Sequence, residues 1–230
     1  MSKRNFIILG VVIFLILSAS GYYMYKLAYI KPGAAVLTPD KLLSSFIIIN
    51  PNLSPEAIQL FQQRFDETKK RLQASPDEFG DWLYVGVLKK GIGDYEGSRD
   101  AFIYAGNLRP QSSTPFANLA DLYTYFLNDP VKAEENIKKA IANDPNDYNL
   151  YLSLADIYRY KFPERIGAYE QVLLEAMAKF ADNPNLIASL AAYYRDTDQT
   201  EKAVERYEKL VKLLPNSQEA KEDLAELKAK

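Results

Sequence analysis

Apolar positions recur along this chain in a sparse pattern with a period of about 34 residues. Trp82, Val85, Gly86, Ser98, Phe102, Ala105 and Pro110 form one copy. Phe116, Leu119, Ala120, Tyr123, Ala133, Ile137, Ala140 and Pro145 form a second, with one residue inserted before Ala133. A further copy reads Ile187, Leu190, Ala191, Tyr194, Ala203, Tyr207, Leu210 and Pro215. A period in the thirties marks stacked supersecondary units, each too small to bury its apolar face alone.

The spacing inside a copy describes the unit. Large residues three apart, a small one beside the second and an aromatic three later place one face of a first helix against a partner. A small residue followed four later by a large one does the same for a second helix. Gly86, Ala120, Ala155 and Ala191 on first helices, with Ser98 or Ala101, Ala133, Ala168 and Ala203 on second helices, let the axes approach closely. Breakers fall between the helices, as Gly91-Ile92-Gly93-Asp94 in the first copy and Asn128-Asp129-Pro130 in the second. Most of the 12 prolines stand at expected helix boundaries. Thr38-Pro39, Ser54-Pro55, Ser75-Pro76, Thr114-Pro115, Asp129-Pro130 and Asn183-Pro184 each read as a cap followed by the first helical residue.

These positions resemble the 34-residue pattern of the tetratricopeptide repeat family: a bulky residue, Leu-Gly, Tyr, Ala, Phe, Ala and Pro. The resemblance implies an all-α fold, a right-handed superhelical α-solenoid of antiparallel helix pairs, with repeats at 79–112, 113–147, 148–183 and 184–216. The third copy is looser. Tyr151, Leu154, Ala155 and Tyr158 fit its first helix, while the second, with Ala168 and Val172, follows a longer connection through Lys161-Phe162-Pro163.

Degenerate elements flank the repeats. Residues 38–78 read as a helical pair: a short helix over 38–46, then a long one over 54–74 whose Ala57, Ile58, Leu60, Phe61, Phe65 and Leu72 form an apolar stripe. Phe46-Ile47-Ile48-Ile49 reads as a buried connection or frayed helix end in preference to a strand. At the other end, 217–230 forms a capping helix, with Ala220, Leu224 and Leu227 inward and Glu and Lys outward.

No charge occurs between Arg4 and Lys26. Twenty helical residues rise about 30 Å, the thickness of bilayer hydrocarbon, so 6–25 is expected to be a transmembrane signal anchor after a short cytoplasmic tail, 1–5. Tyr22, Tyr23, Tyr25 and Tyr29 cluster where an interfacial aromatic belt sits. Ser18-Ala19-Ser20 also offers a site for cleavage of a secretory signal, but the length of the apolar run favours retention. A linker, 26–37, then holds the repeats close to the membrane. The order of basic, apolar and small residues places the repeats outside a bacterial cytoplasmic membrane. The rival is a cytosol-facing protein of an organelle outer membrane.

Composition narrows the function. With no Cys and no His, disulfides, thiolate metal sites, a cysteine nucleophile and the usual general base are excluded. There is no Gly-rich phosphate loop, no Gly-x-Ser-x-Gly elbow and no dense acidic metal loop, so neither catalysis nor a cofactor or metal is expected. Residues 1–31 hold four basic and no acidic residues, leaving 24 basic against 30 acidic side chains beyond them. A net charge of −6 there disfavours nucleic acid as a ligand. Lys69-Lys70-Arg71, sharing a helix with Asp66 and Glu67, reads as a solvated face.

By the family's alignment, first-helix side chains not used in packing face a concave groove. Here these are Leu83, Val87 and Lys90; Ala117, Asp121, Thr124 and Tyr125; Leu152, Asp156, Arg159 and Tyr160; and Ala188, Ala192 and Arg195. Family members that grip a chaperone's C-terminal carboxylate use Lys and Asn at places held here by Leu83, Val87, Ala117 and Asp121, so that clamp is not expected. Two roles stay open for the recurring Tyr125 and Tyr160, and for Arg159 and Arg195. They are anchors for a peptide or protein partner, or the tyrosines pack between helices and the arginines pair with Asp156 and Asp196. Two functions follow: a non-catalytic membrane-tethered adaptor binding its partner in the groove, or a structural subunit associating through its convex face or the 54–74 helix, with self-association possible.

Overall fold

The computed structural model describes residues 37–229. Eleven α-helices and one 3-10 turn account for their regular structure, with no strand among the described residues. They are α1 (Pro39–Leu42), α2 (Pro55–Ala74), α3 (Phe79–Gly91), α4 (Tyr95–Leu108), α5 (Thr114–Tyr125), α6 (Pro130–Asn143), α7 (Tyr148–Lys161), α8 (Gly167–Lys179), α9 (Pro184–Asp196), α10 (Thr200–Leu213) and α11 (Gln218–Ala229). The 3-10 turn, Pro163–Arg165, lies between α7 and α8.

Helix ends follow the local chemistry. Ser54, Asp94, Asp129 and Asn183 accept hydrogen bonds from backbone N–H groups in the first turns of α2, α4, α6 and α9, satisfying donors no helix can pair internally. Two boundaries differ from the sequence expectation. Ser75 closes α2 instead of opening α3, because Pro76 lies in the turn, where its carbonyl accepts from Trp82 Nε1 at 2.7 Å. Thr114 is already helical in α5, with Ser113 as its cap residue.

Successive helices pack as the pairs α3–α4, α5–α6, α7–α8 and α9–α10, and each pair stacks on the next. The repeating residues are the core: Trp82, Phe102, Phe116, Ile137, Tyr151, Ile187 and Tyr207 are all buried. The first pair shows why a residue without a side chain is needed. A Cβ on Gly86 would lie 2.4 Å from Phe102 Cε1, and the Gly86 carbonyl accepts from the buried Ser98 hydroxyl at 2.8 Å.

The third pair departs from the expected register. Tyr169, Leu173 and Ala176 are buried at the places that carry the contact in the other pairs, with the expected Val172 buried beside them, whereas Ala168 is only partly buried. The 3-10 turn shifts the register by one, and a tyrosine stands where other pairs have Ser or Ala. Its hydroxyl donates to the Ser189 carbonyl on α9 at 3.2 Å.

The N-terminal flank keeps the expected order of a short and a long helix, but the short one is cut back. α1 is a single turn, and the β-branched run after it leaves the helix for an irregular segment. That run is not a buried connection: Ile47 and Ile49 are 63% and 60% exposed, while Phe46 stacks on Phe65 with ring centres 4.3 Å apart. The amides of Ile49 and Asn50 both donate to the Ile92 carbonyl at 2.8 Å. On α2, Phe65, Thr68 and Leu72 face α3, but Leu60 is 52% exposed and falls off the stripe. At the far end α11 buries Ala220 and Leu227 against α10. The expected anchor at 6–25 lies outside the described residues; among those described, no helix is long and apolar enough to cross a membrane.

Candidate partner-binding groove

The first helices of successive pairs meet along one face, and polar side chains bridge them in series. Lys90 Nζ of α3 donates to Asp121 Oδ2 of α5 at 2.5 Å. Arg159 of α7 donates to Asp196 at the end of α9 at 2.7 Å. Arg195 of α9 reaches Asp223 of α11 at 3.1 Å, and also Asp196 at 3.2 Å. Between α5 and α7 there is no such bridge among the described residues. Instead Ala117, Asp121, Thr124, Tyr125, Ser153 and Asp156 line a notch of about 70 Å³.

The nine groove residues singled out from the sequence therefore lie on connected first helices, in different states. Leu83 is partly buried in the core, and Val87 is exposed. Lys90, Asp121, Arg159 and Arg195 are engaged in the bridges described. Tyr125 and Tyr160 are 59% and 63% exposed, so neither ring is packed between helices. The arginines pair with Asp196, as one of the two open roles required, but not with Asp156. Thr124, also on the expected face, is buried and donates back to the Ala120 carbonyl at 2.7 Å.

Cations accompany the aromatic side chains. Lys161 Nζ lies 6.0 Å from the Tyr125 ring centre, and the Arg159 guanidinium lies 5.6 Å from Tyr160 and 5.4 Å from Tyr169. Burial raises the Tyr125 hydroxyl above its ordinary pKa, reinforced by the charges of Asp156 and Asp121. Asp156 is also raised, by desolvation, against a smaller lowering by Arg159.

Two features were not read from the sequence. A cleft of about 270 Å³ lies between α9, α10 and α11, floored by Ala188, Ala192, Leu210 and Ala220 and rimmed by Arg195, Glu219 and Asp223. Its floor comes from small residues at groove register, a signal present in Ala188 and Ala192, but the splay of α11 depends on tertiary packing. The second is Lys89, buried on α3, whose Nζ donates to Asp94 Oδ2 at 2.7 Å and to the Ser45 carbonyl at 3.0 Å. No sequence period flags a lysine as internal; its partner Ser45 is 44 residues away. Among the described residues, no group of three or more Asp or Glu could hold a metal ion.

No protein-family model matches the chain, and no curated protein matches it in sequence. Its fold is similar to several solved structures. YrrB, described as a TPR protein with an unusual peptide-binding site, aligns with a TM-score of 0.53 at 12% identity, over 70% of this chain and 82% of that one. A thermophilic TPR protein of Thermus thermophilus aligns at 0.52 with 14% identity, over 84% of this chain and 100% of the other. PilW, described as a widely conserved type IV pilus biogenesis factor, aligns at 0.53 with 21% identity, over 75% and 86%. At these identities the likeness is one of architecture, and the architecture is the tetratricopeptide repeat fold.

Proposed function

We propose that the protein is a non-catalytic adaptor, tethered to a membrane by residues 6–25, that holds a segment of a partner protein against the first-helix face. The supporting observation is the pair of exposed rings, Tyr125 and Tyr160, at equivalent places of consecutive repeats. Exposed large aromatics at regular spacing serve no packing role, and such side chains anchor partners at low conformational cost. A peptide-binding site in YrrB, a protein of the same fold, is consistent with this use. Placement of the repeats outside a bacterial cytoplasmic membrane rests on the short N-terminal tail and the order of basic, apolar and small segments after it, and belongs to the same proposal.

The test is in-cell crosslinking of the full-length protein followed by mass spectrometry, comparing the native chain with Tyr125→Ala, Arg159→Ala. Loss of the crosslinked partner with unchanged helical circular dichroism supports the groove. A second reading, permanent association through the membrane-proximal end, draws on the exposed Ile47, Ile49 and Leu60. It predicts that Ile47→Ser, Ile49→Ser removes the partner while the groove variant retains it. Protease protection in sealed vesicles tests the side of the membrane.

A further inference from the structure

The groove's carboxylates are neutralised in every case but one. Asp121 is held by Lys90, while Asp196 and Asp223 are held by Arg159 and Arg195. Asp156 has no hydrogen-bond donor and no cation within ion-pair distance among the described residues, although it is half-buried in the notch between α5 and α7. Arg159, one turn along the same helix, is drawn away to Asp196, and Lys161 sits at the Tyr125 ring. A partly desolvated carboxylate with no ion-pair partner, offset only by the more distant Arg159 charge, is costly, and the cost is relieved by a cation from outside.

We propose that Asp156, with the exposed rings of Tyr125 and Tyr160, receives a lysine or arginine side chain of the bound segment. This rests on the groove reading above and adds the chemistry of the occupant. The negative face of a tyrosine ring favours a cation beside it, and a carboxylate within the same notch supplies the ion pair. Room of about 70 Å³ admits an ammonium or guanidinium head. A metal ion is disfavoured because no third carboxylate joins Asp121 and Asp156, and Asp121 already holds Lys90. Val87, exposed on α3 at an expected groove position, offers apolar surface for the rest of the segment.

The full-length protein in detergent micelles is used to select from a phage library of random linear dodecapeptides. The leading peptide is then synthesised with its basic residue intact and as the norleucine analogue. Fluorescence polarisation measures both against native protein, Asp156→Asn, and Tyr125→Ala, Arg159→Ala. The expected result is one fixed Lys or Arg column among the selected peptides. Native protein should lose on the order of tenfold in affinity for the norleucine analogue, while Asp156→Asn binds both peptides alike. Asp156→Asn should keep the native melting temperature or exceed it, because an unpaired charge is removed. Selected peptides without a basic column, or Asp156→Asn still discriminating the two peptides, overturn this proposal and leave the groove reading standing. No selected peptide, or binders indifferent to the Tyr125→Ala, Arg159→Ala change, overturns both.

Discussion

Replacing Gly86 by alanine tests the closest helix approach in the repeats. In an exposed helix the change is worth about 1 kcal/mol in favour of alanine. Here the new Cβ would meet the Phe102 ring at 2.4, 2.6 and 2.8 Å, and Phe102 is wholly buried. Restoring an ordinary contact of 3.4 Å requires the ring to retreat by about 1 Å into a filled core. Overpacking of this kind costs about 1–3 kcal/mol, and the size of the overlap places it near the upper end. The net loss is about 2 kcal/mol, or roughly 4–8 °C in melting temperature for a chain of this size. Circular dichroism at 222 nm during thermal unfolding measures it. Gly80, whose added Cβ would meet nothing within 4 Å, is the internal control and should gain up to about 0.5 kcal/mol on the same substitution. Phe102→Leu in the Gly86→Ala background should recover part of the loss through coupling between the sites. A Gly86→Ala protein that melts at or above the native temperature, or strict additivity with Phe102→Leu, refutes the close approach.

Other consequences can be measured on the same protein. Glu134 is pushed down to about 2, first by the Arg165 guanidinium, then by Lys138 and the Tyr158 hydroxyl. Its folded pKa lies below its unfolded one, so the stability it contributes is present above about 4.5 and is lost as pH falls toward about 2. Glu134→Gln should lower the melting temperature at neutral pH and flatten its fall across that interval; an unchanged profile denies the cluster its role. Lys89→Met removes the cation between Asp94 and the Ser45 carbonyl, and hydrogen exchange at the Ile49 and Asn50 amides should quicken at least about tenfold while α9 and α10 keep their protection. Tyr169→Ala deletes a buried ring from the α7–α8 contact and should cost about 3–5 kcal/mol in urea unfolding, more than Tyr160→Ala, which should be nearly neutral.

The repeats were legible because their requirements are local and periodic. Trp82, Ala120, Tyr151 and Leu190 are read as core from spacing alone, since a period near 34 admits only one side of each helix. The caps at Ser54, Asp129 and Asn183 were equally local. Where reading failed, long-range contacts decided. Phe46-Ile47-Ile48-Ile49 has the composition of a buried segment, yet tertiary pairing with Ile92 and Phe65 turns half of it outward. Ala168 had the expected residue type at nearly the expected place, but the Pro163–Arg165 turn moved the register by one. In the groove, spacing put Asp121, Asp156, Tyr125 and Tyr160 on one face. It was silent on which charges were already matched, because that depends on how far Arg159 reaches toward the next pair.

Tyr169 has an effect beyond its own contact. In a stacked array the pose of each unit depends on the one before it, and the ring that stands where other pairs have Ser or Ala reaches the next pair at the Ser189 carbonyl and the Tyr193 ring. The same ring lies 5.4 Å from the Arg159 guanidinium, which reaches on to Asp196 of α9, so a substitution at Tyr169 is felt both in the stacking and in the groove bridge. Stacking of the pairs and matching of charge along the groove thus meet at one buried side chain.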